Sequence, residues 1–321
     1  MKKIMICDRF ATEGAVELKK NKNFEVINFN ENELSSAHVL VIRSKFKIDL
    51  ELLEKTKNLE LIITCTSGFD HIDLKQTAKR NITVAFTPEA NVVSAAEHTW
   101  ALLLACTRHV VGAHKDMKSG HWNREPFLTF ELKNKTIGIV GLGRVGQKVA
   151  GFAKAFQMNV LAFDPYQTAE IFNKLEIQRV SYDELLLQSD ILTFHVPATF
   201  ETHHMMKRAN FENVDENLIL INTSRGSVIN EDDLAEALIE KTILAAGLDV
   251  FAKEPLSRDS KLMRCPNLIM TPHLGAYTEE AFTKGSLQAA KQIKNFYENN
   301  KLENTLPLIN EWGSLSFKER T

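Results

Sequence analysis

Three segments of this sequence end an apolar run in a side chain able to carry charge or a proton. "LILINTSRGSVINEDDL" delivers Arg225, "AAGLDVFAKEPL" delivers Asp249 and Glu254, and "NLIMTPHLG" delivers His273. Oxidising a 2-hydroxy acid needs a base that takes the hydroxyl proton while hydride leaves the neighbouring carbon. It also needs a fixed guanidinium to hold the carboxylate and polarise the developing carbonyl. His273 suits the base. Pro272 fixes its own φ and biases Thr271 towards extended backbone, so the imidazole stands at a stiff strand end ahead of Leu274 and Gly275. Arg225, always charged and fork-shaped, suits the clamp. Glu254 is expected behind His273, orienting the ring and favouring imidazolium.

Such chemistry needs a hydride carrier, and "TIGIVGLGRVGQKVA" supplies a place for one. It sets Gly141, Gly143 and Gly146 after a strand and at the head of a helix. Gly141 permits the tight turn, Gly143 lets backbone N–H groups approach a pyrophosphate, and Gly146 lets helix and strand pack closely. The helix N-terminus adds partial positive charge for the phosphates. The next strand, in "NVLAFDPY", ends at Asp164, eighteen residues past Gly146. An acid there hydrogen-bonds a ribose diol and repels a 2′-phosphate. Pro165, Tyr166 and Gln167 offer no arginine to offset it, so NAD(H) is expected rather than NADP(H). Methyltransferases also place an acid after their second strand, and the charged strand ends downstream separate the two.

These side chains must be carried on a sheet, because open parallel sheets bind ligands outside the carboxyl ends of their strands. "KKIMIC", "FEVINF", "AHVLVIRS", "LELIITCT" and "ITVAFT" read as strands, mostly separated by polar, helix-like stretches. "SAAEHTWALLLACTRHV" follows, with Ser94 as N-cap and Glu97 three residues on. It is apolar nearly all round, which implies deep burial, between domains or between subunits. A second series, "TIGIV", "NVLAF", "ILTFHV", "NLILINT", "ILAAGLDV" and "NLIMTP", matches one doubly wound sheet, and a long helix is expected from about Thr278 to Asn299. At 321 residues the chain exceeds the roughly 250–300 residues at which single cores stop growing. The expected fold is α/β, two Rossmann-like domains, each a doubly wound parallel sheet, with a cleft between them. Residues 1–93 with 284–321 are expected to form a discontinuous, flavodoxin-like substrate domain, and residues 94–283 the NAD-binding Rossmann domain.

Composition removes other classes. A net charge of -2 leaves no basic surplus for phosphate neutralisation, so no nucleic-acid partner is expected. The apolar run in "MKKIMICDRF" stops at Asp8, short of the about 7–15 residues of a secretory signal. The apolar run from Trp100 to Cys106 falls far below the ~20 residues that span a bilayer, so no membrane association is expected. Cys7, Cys65, Cys106 and Cys265 are scattered without a C-x-x-C pair, which points to thiols in a reducing cytoplasm rather than disulfides or a zinc site. His203 and His204 are adjacent, not at metal-ligand spacing, and no metal is expected. His195, at a strand end, is expected to line the adenine side of the cofactor. Glu97-His98 lacks the second histidine of H-E-x-x-H and reads as structural, and "KEPLSRDSK" as a solvated loop.

Taken together, "VIRSKFKID", "TCTSGFDHID", "NVVSAAEHT", "GIVGLGRVGQ", "FHVPATFETHHMM", "INTSRGSVINEDDL", "GLDVFAKEP" and "TPHLGA" resemble the D-isomer-specific 2-hydroxyacid dehydrogenases along nearly the whole chain. The family's catalytic Arg, Glu and His fall on Arg225, Glu254 and His273. The resemblance further implies that Arg144 and Val145 lie along the pyrophosphate, and that Val196, Pro197 and Thr202 border the adenosine. Thr223, Ser224 and Arg225 would flank the nicotinamide with His273 and Gly275, and Asp249 would receive its carboxamide. Ser67 and Gly68 would face substrate with Arg225 and His273, with Arg43 as a second anion contact. A homodimer built on the NAD-binding domain is implied as well.

Within that family, "DMKSGHWNREPFLTFELKNKTIGIVGLGRVG" looks most like phosphoglycerate dehydrogenases. Many of those carry an arginine just before the Ser67-Gly68 loop, where this chain has Thr64-Cys65-Thr66, and some append a regulatory domain, whereas this sequence ends at Thr321. "SGFDHID" resembles lactate- or hydroxypyruvate-reducing relatives instead. Formate dehydrogenases place glutamine where Glu254 stands. The expected substrate is a small 2-hydroxy or 2-keto acid, first D-3-phosphoglycerate, with D-lactate, hydroxypyruvate or glyoxylate as alternatives. A different class of function is an NAD(H)-sensing, corepressor-like binding protein of the same fold, against which the lack of long disordered flanks counts.

Overall fold

Runs of Val, Ile and Leu flanked by polar, helix-favouring stretches fold as alternating strands and helices in the computed structural model, which describes residues 1–306. The described residues divide into two units, Met1–Ser94 with residues 276–306, and Ala95–Gly275. The part of the expected substrate domain beyond residue 306 lies outside the described residues.

The first unit opens β1 (Lys2–Ile6), α1 (Thr12–Lys19), β2 (Phe24–Asn28), β3 (Val39–Ile42), α2 (Leu50–Glu54), β4 (Leu61–Thr64), α3 (Leu74–Lys79) and β5 (Thr83–Phe86). Every residue of β3 and β4 is buried, the mark of parallel strands covered on both faces. Asp49 and Asp73 accept from backbone N–H groups at the heads of α2 and α3, fixing where those helices start.

The second unit takes most of α4 (Val92–Thr107), then α5 (Val110–Lys118), β6 (Thr136–Val140), α6 (Arg144–Ala155), β7 (Asn159–Phe163), α7 (Ala169–Leu175), β8 (Gln178–Arg179), α8 (Tyr182–Gln188), β9 (Ile191–Phe194), α9 (Arg208–Phe211), β10 (Ile219–Asn222), α10 (Glu231–Ile239), β11 (Ala245–Leu248) and β12 (Leu268–Met270). The chain then enters α11 (Glu279–Asn299), N-capped by the Thr278 hydroxyl, and closes the first sheet with β13 (Thr305–Leu306). Strand order is β13-β5-β4-β3-β1-β2 in the first unit and β12-β11-β10-β9-β6-β7-β8 in the second. All pairings are parallel except β13 with β5. Both orders reverse direction at a switch point, beside β1 in the first sheet and beside β6 in the second, and so both are doubly wound.

Three expectations change in detail. α4 begins at Val92, two residues before the expected cap, and the Ser94 hydroxyl donates back to the Asn91 carbonyl instead of capping. The turn after β5 leaves Asn91 to open the helix. The apolar face of α4 is spent inside the second unit. Trp100, Leu102, Leu103 and Cys106 pack with Ile137, Ile139, Ile219 and Ile221 from the sheet. The second unit closes at Gly275, not at 283, because α11 is one unbroken helix whose Ser286 packs against Gly14 of α1. Among the described residues, no helix is long and apolar enough to cross a membrane. Cys65 and Cys106 are buried thiols, while Cys7 and Cys265 are half-buried.

Candidate active site

In a parallel sheet every loop that follows a strand emerges at the same edge. Gly141 follows β6, Asp164 follows β7, His195 follows β9, Arg225 follows β10, Glu254 follows β11 and His273 follows β12, so the second unit gathers them along one edge.

The glycine loop has the form its spacing implies. Gly141 sits at φ +92°, where a side chain would be strained, and a Cβ there would lie 2.7 Å from the His195 carbonyl oxygen. A Cβ at Gly146 would meet the Gly141 carbonyl at 2.1 Å, so only glycine lets α6 come this close to the turn. Gly143 is the N-cap of α6 and faces open space, with nothing within 4 Å of a built Cβ. The exposed Arg144 and half-buried Val145 open the helix, whose first N–H groups carry partial positive charge. This cradle fits the pyrophosphate of a dinucleotide.

Asp164 is tied to that loop. Its Oδ2 accepts from Leu142 N–H at 2.8 Å, and its Oδ1 accepts from Tyr166 and Gln167 N–H at 2.9 and 3.1 Å. Arg179, from the two-residue edge strand β8, places Nη2 3.4 Å from the Asp164 carbonyl oxygen. This cation lies fifteen residues beyond the acid, outside the stretch that sequence reasoning searched for one. His195 shares a hydrogen bond of 3.0 Å with Thr193, and burial pushes its imidazole down to about 3. The ring is therefore a weak proton acceptor, and its Nε2 is already engaged by Thr193. Val196 lies under the Gly141 turn, Pro197 is exposed, and the Thr202 hydroxyl donates to the Pro197 carbonyl at 2.6 Å, bracing its own loop.

Glu254 and His273 meet. His273 Nδ1 lies 2.8 Å from Glu254 Oε2, while Phe251 N–H donates to Oε1 at 3.0 Å. Burial pushes the Glu254 carboxyl up, but the hydrogen bonds from His273 and Phe251 and the His273 charge outweigh it, holding Glu254 below the usual carboxylate range. Glu254 therefore fixes the Nδ1 side of the ring and leaves Nε2 to face outward. Arg225 is placed by its neighbours. Asn222 Nδ2 donates to the Arg225 carbonyl at 2.9 Å, Arg225 Nη1 donates to the Ser224 carbonyl at 2.6 Å, and Ser224 is buried against Asn222. A Cβ at Gly226 would fall 1.9 Å from the Phe251 carbonyl carbon, so the Arg225 loop lies directly on the segment leading to Glu254. The Thr223 hydroxyl pairs with Thr99 of α4 at 2.8 Å.

His273 sits at φ +55°, the left-handed region, which costs a non-glycine residue about 1 kcal/mol or more. Asp249 holds it there. The His273 N–H donates to the Asp249 carbonyl at 2.9 Å, and Leu274 and Gly275 N–H donate to its Oδ1 and Oδ2 at 2.7 and 2.8 Å. The same Oδ1 takes the Thr271 hydroxyl at 2.6 Å and lies 3.1 Å from His98 Nε2. Burial pushes the Asp249 carboxyl up, but the bonds from His98, Thr271 and Leu274 prevail and lower it.

A pH test follows. In Asp249→Asn the amide –NH₂ faces the Gly275 N–H, donor against donor, and stability should fall by about 1–3 kcal/mol at neutral pH. A depressed carboxyl stabilises the fold fully above the unfolded aspartate value of ~3.9 and loses that contribution as pH falls through its folded value. Urea unfolding of both proteins should therefore show the gap shrinking below about pH 4. A gap constant down to pH 3 would exclude an ionised Asp249 as the anchor.

In the first unit, Ser67 and Gly68 lie in the loop after β4, braced by the Thr66 hydroxyl donating to the Gly68 carbonyl at 2.7 Å. Arg43 follows β3 and is 8% exposed, with Nη1 unpartnered and its guanidinium 4.2 Å from the Phe282 ring centre. Arg9, after β1, stands at the same distance from that ring. β1 and β3 flank the switch point of the first sheet.

Sequence reasoning gave Asn222 and Arg179 no role, used Thr271 only as extended backbone before Pro272, and read His98 as structural. Asn222 and Thr271 lay inside motifs already quoted, where their amide and hydroxyl went unweighed. His98 had no local signal, since its partner Asp249 lies 151 positions away.

Residues 100–275 match the family model for the NAD binding domain of D-isomer specific 2-hydroxyacid dehydrogenases. The D-3-phosphoglycerate dehydrogenase of Archaeoglobus fulgidus is 38% identical over 276 residues, covering 86% of this chain and 52% of that protein. The chain spans about half the length of that relative and of others with the same name. The hydroxypyruvate reductase of Thermotoga maritima is 37% identical over 257 residues, covering 79% of this chain and 83% of that protein. A crystal structure of D-lactate dehydrogenase from Aquifex aeolicus, complexed with NAD and lactic acid, superposes with a TM-score of 0.80 at 31% identity, covering 92% of this chain and 96% of that one.

Proposed function

The chain belongs to the D-isomer specific 2-hydroxyacid dehydrogenase family, and on that premise we propose that it interconverts a small 2-hydroxy acid and its 2-keto acid with a nicotinamide dinucleotide. The His273–Glu254 pair, at 2.8 Å and on the same sheet edge as the glycine loop, carries this reading. A bound nicotinamide supplies or accepts the hydride. Glu254 accepts the Nδ1–H of His273, so Nε2 gives a proton to the keto oxygen during reduction and removes it during oxidation. Arg225 holds the carboxylate next to the reacting carbon, and the family resemblance implies Ser67 and Gly68 as further substrate contacts. Gly141, Gly143, Arg144, Val145 and Gly146 hold the pyrophosphate. His195, Val196, Pro197 and Thr202 border the adenosine, and Thr223, Ser224, Asp249 and Gly275 the nicotinamide.

The substrate favoured is D-3-phosphoglycerate and its keto acid. Support comes from the buried Arg43, whose Nη1 has no hydrogen-bond partner, and from Arg9 on the same ring, whose charge Glu279 at 3.8 Å offsets in part, a positive region suited to a second acidic group. The Asp164 carboxylate favours NAD(H), since a 2′-phosphate brought beside it meets like charge, and Arg179 offsets part of that repulsion. One panel tests all of this. With pyruvate, glyoxylate, hydroxypyruvate and 3-phosphohydroxypyruvate, and NADH or NADPH followed by absorbance, kcat/KM should be highest for the phosphorylated acid with NADH. The margin over NADPH should be roughly 10-fold or more, and Asp164→Ser should narrow it. A better rate with an uncharged tail would overturn the phosphoglycerate assignment and leave the chemistry standing. Silence across the panel with NADH bound would favour the sensor.

A homodimer through the NAD-binding domain completes the proposal, in a reducing cytoplasm that suits four thiols. Since α4 is spent internally, the surface proposed is the stretch carrying Val110, Met117, Trp122 and Leu128, the last two 78% and 83% exposed. Light scattering at micromolar concentration should give twice the chain mass, and a monomer would retire the dimer.

A further inference from the structure

His98 lies in α4, and its Nε2 is 3.1 Å from Asp249 Oδ1 and 2.9 Å from Thr271 Oγ1. We propose that His98 is a positioning residue for His273, acting through Asp249 and Thr271 to hold the left-handed turn that aims the imidazole. The proposal rests on the role assigned to His273 above, and it assigns work to a histidine that touches none of the reacting atoms.

The proton count favours a directed arrangement. The single Thr271 hydroxyl proton goes to Asp249 Oδ1 at 2.6 Å, so towards His98 the Thr271 oxygen can only accept. An ionised Asp249 also only accepts. His98 Nε2 must therefore carry a proton, shared between the two oxygens, and this tautomer follows from the network. The ring bolts a helix of the second unit to the strand end that launches the 271–275 loop. Asp249 in turn clamps Leu274 and Gly275, the residues on the far side of His273, while its own backbone carbonyl takes the His273 N–H.

Without the His98 donor, Oδ1 loses one of its partners and the Thr271 oxygen loses the N–H it accepts from His98. The carboxylate is then free to turn about its Cβ–Cγ bond, releasing one of the two N–H groups it holds. The strained turn relaxes, and His273 Nδ1 leaves Glu254. A misplacement of about 1 Å at a reacting group costs on the order of 100-fold in rate. Substrate affinity depends on other residues and changes little.

The test uses the full-length protein with His98→Leu, His98→Gln and Thr271→Val. Imidazole-labelled protein should show a Nδ1–H resonance of His273 hydrogen-bonded to Glu254, identified by its loss in His273→Ala. That resonance should shift and broaden in H98L and return in H98Q, whose amide restores a donor near the same position. In reduction of the best keto acid, H98L should lower kcat by about 10–100-fold with KM within about 3-fold, and H98Q should recover most of it. If H98L does not fold, T271V removes the shared acceptor and should move the same resonance and lower kcat in the same direction. An unmoved His273 resonance in the folded variants, or an H98L that loses thermal stability but keeps kcat, overturns the proposal. Should the wild type reduce no keto acid, the dehydrogenase reading fails, and the resonance still decides whether His98 positions His273.

Discussion

Replacing His273 by alanine is expected to lower kcat by about 10³-fold in either direction while NADH binds with nearly unchanged affinity. General acid–base catalysis by a positioned side chain contributes roughly 10²–10⁴-fold, and the His273 ring stands at the end of β12 with Nδ1 2.8 Å from the Glu254 carboxylate and Nε2 facing outward. His195 is the weaker candidate, since burial lowers its proton affinity and its Nε2 is engaged by Thr193. Cofactor affinity should survive for a geometric reason. Three strands, β11, β10 and β9, stand between β12 and β6, so at about 4.8 Å per strand the imidazole is roughly 19 Å along the sheet from the phosphate cradle. Alanine also relieves the left-handed strain only slightly, so Asp249 keeps its grip on Leu274 and Gly275 and the loop stays in place. Steady-state rates with NADH titration by fluorescence separate the two quantities. A variant retaining kcat within about 10-fold of wild type would falsify His273 as the proton carrier. A variant losing rate and NADH affinity together would point to a collapsed loop instead.

Much of this site was legible in the sequence, for reasons that also explain what was not. β3, β4, β9, β10 and β11 are buried along their whole length, so they read as unbroken apolar runs bounded by turn residues. The residues that end them stand out because a charge after such a run is conspicuous. The Glu254–His273 contact followed from two neighbouring strand ends on one sheet. β8 was invisible, since Gln178 and Arg179 are an exposed two-residue edge with no apolar pattern, and Arg179 came with it. The uniform apolarity of α4 announced burial but not against what, because a helix packed on a sheet of its own unit and one packed on another unit carry the same composition. His98 lay hidden in that helix. Its meaning exists only in the fold, where its ring meets Asp249 and Thr271, 151 and 173 positions away.

The clamp is open to an equally large test. Arg225→Ala should reduce kcat/KM by about 10²–10³-fold, with a higher KM for the keto acid and a lower kcat. Truncating one partner of a hydrogen-bonded charge pair costs roughly 2–5 kcal/mol, and the carboxylate is bound both before and during reaction, so both constants move. Arg225→Lys distinguishes charge from shape. Lysine keeps the positive charge but delivers it as a point on a flexible stem, whereas the guanidinium offers two parallel N–H groups from a plane. Here that plane is braced, because Nη1 donates to the Ser224 carbonyl and the backbone is pinned by Asn222 and by the close approach of Gly226 to Phe251. A lysine cannot use that brace, so R225K should recover no more than about a tenth of the wild-type kcat/KM. Recovery to near wild type would mean that only charge matters at this position, and the fork geometry would have to be abandoned. An R225A within about 10-fold of wild type would remove Arg225 from the site altogether.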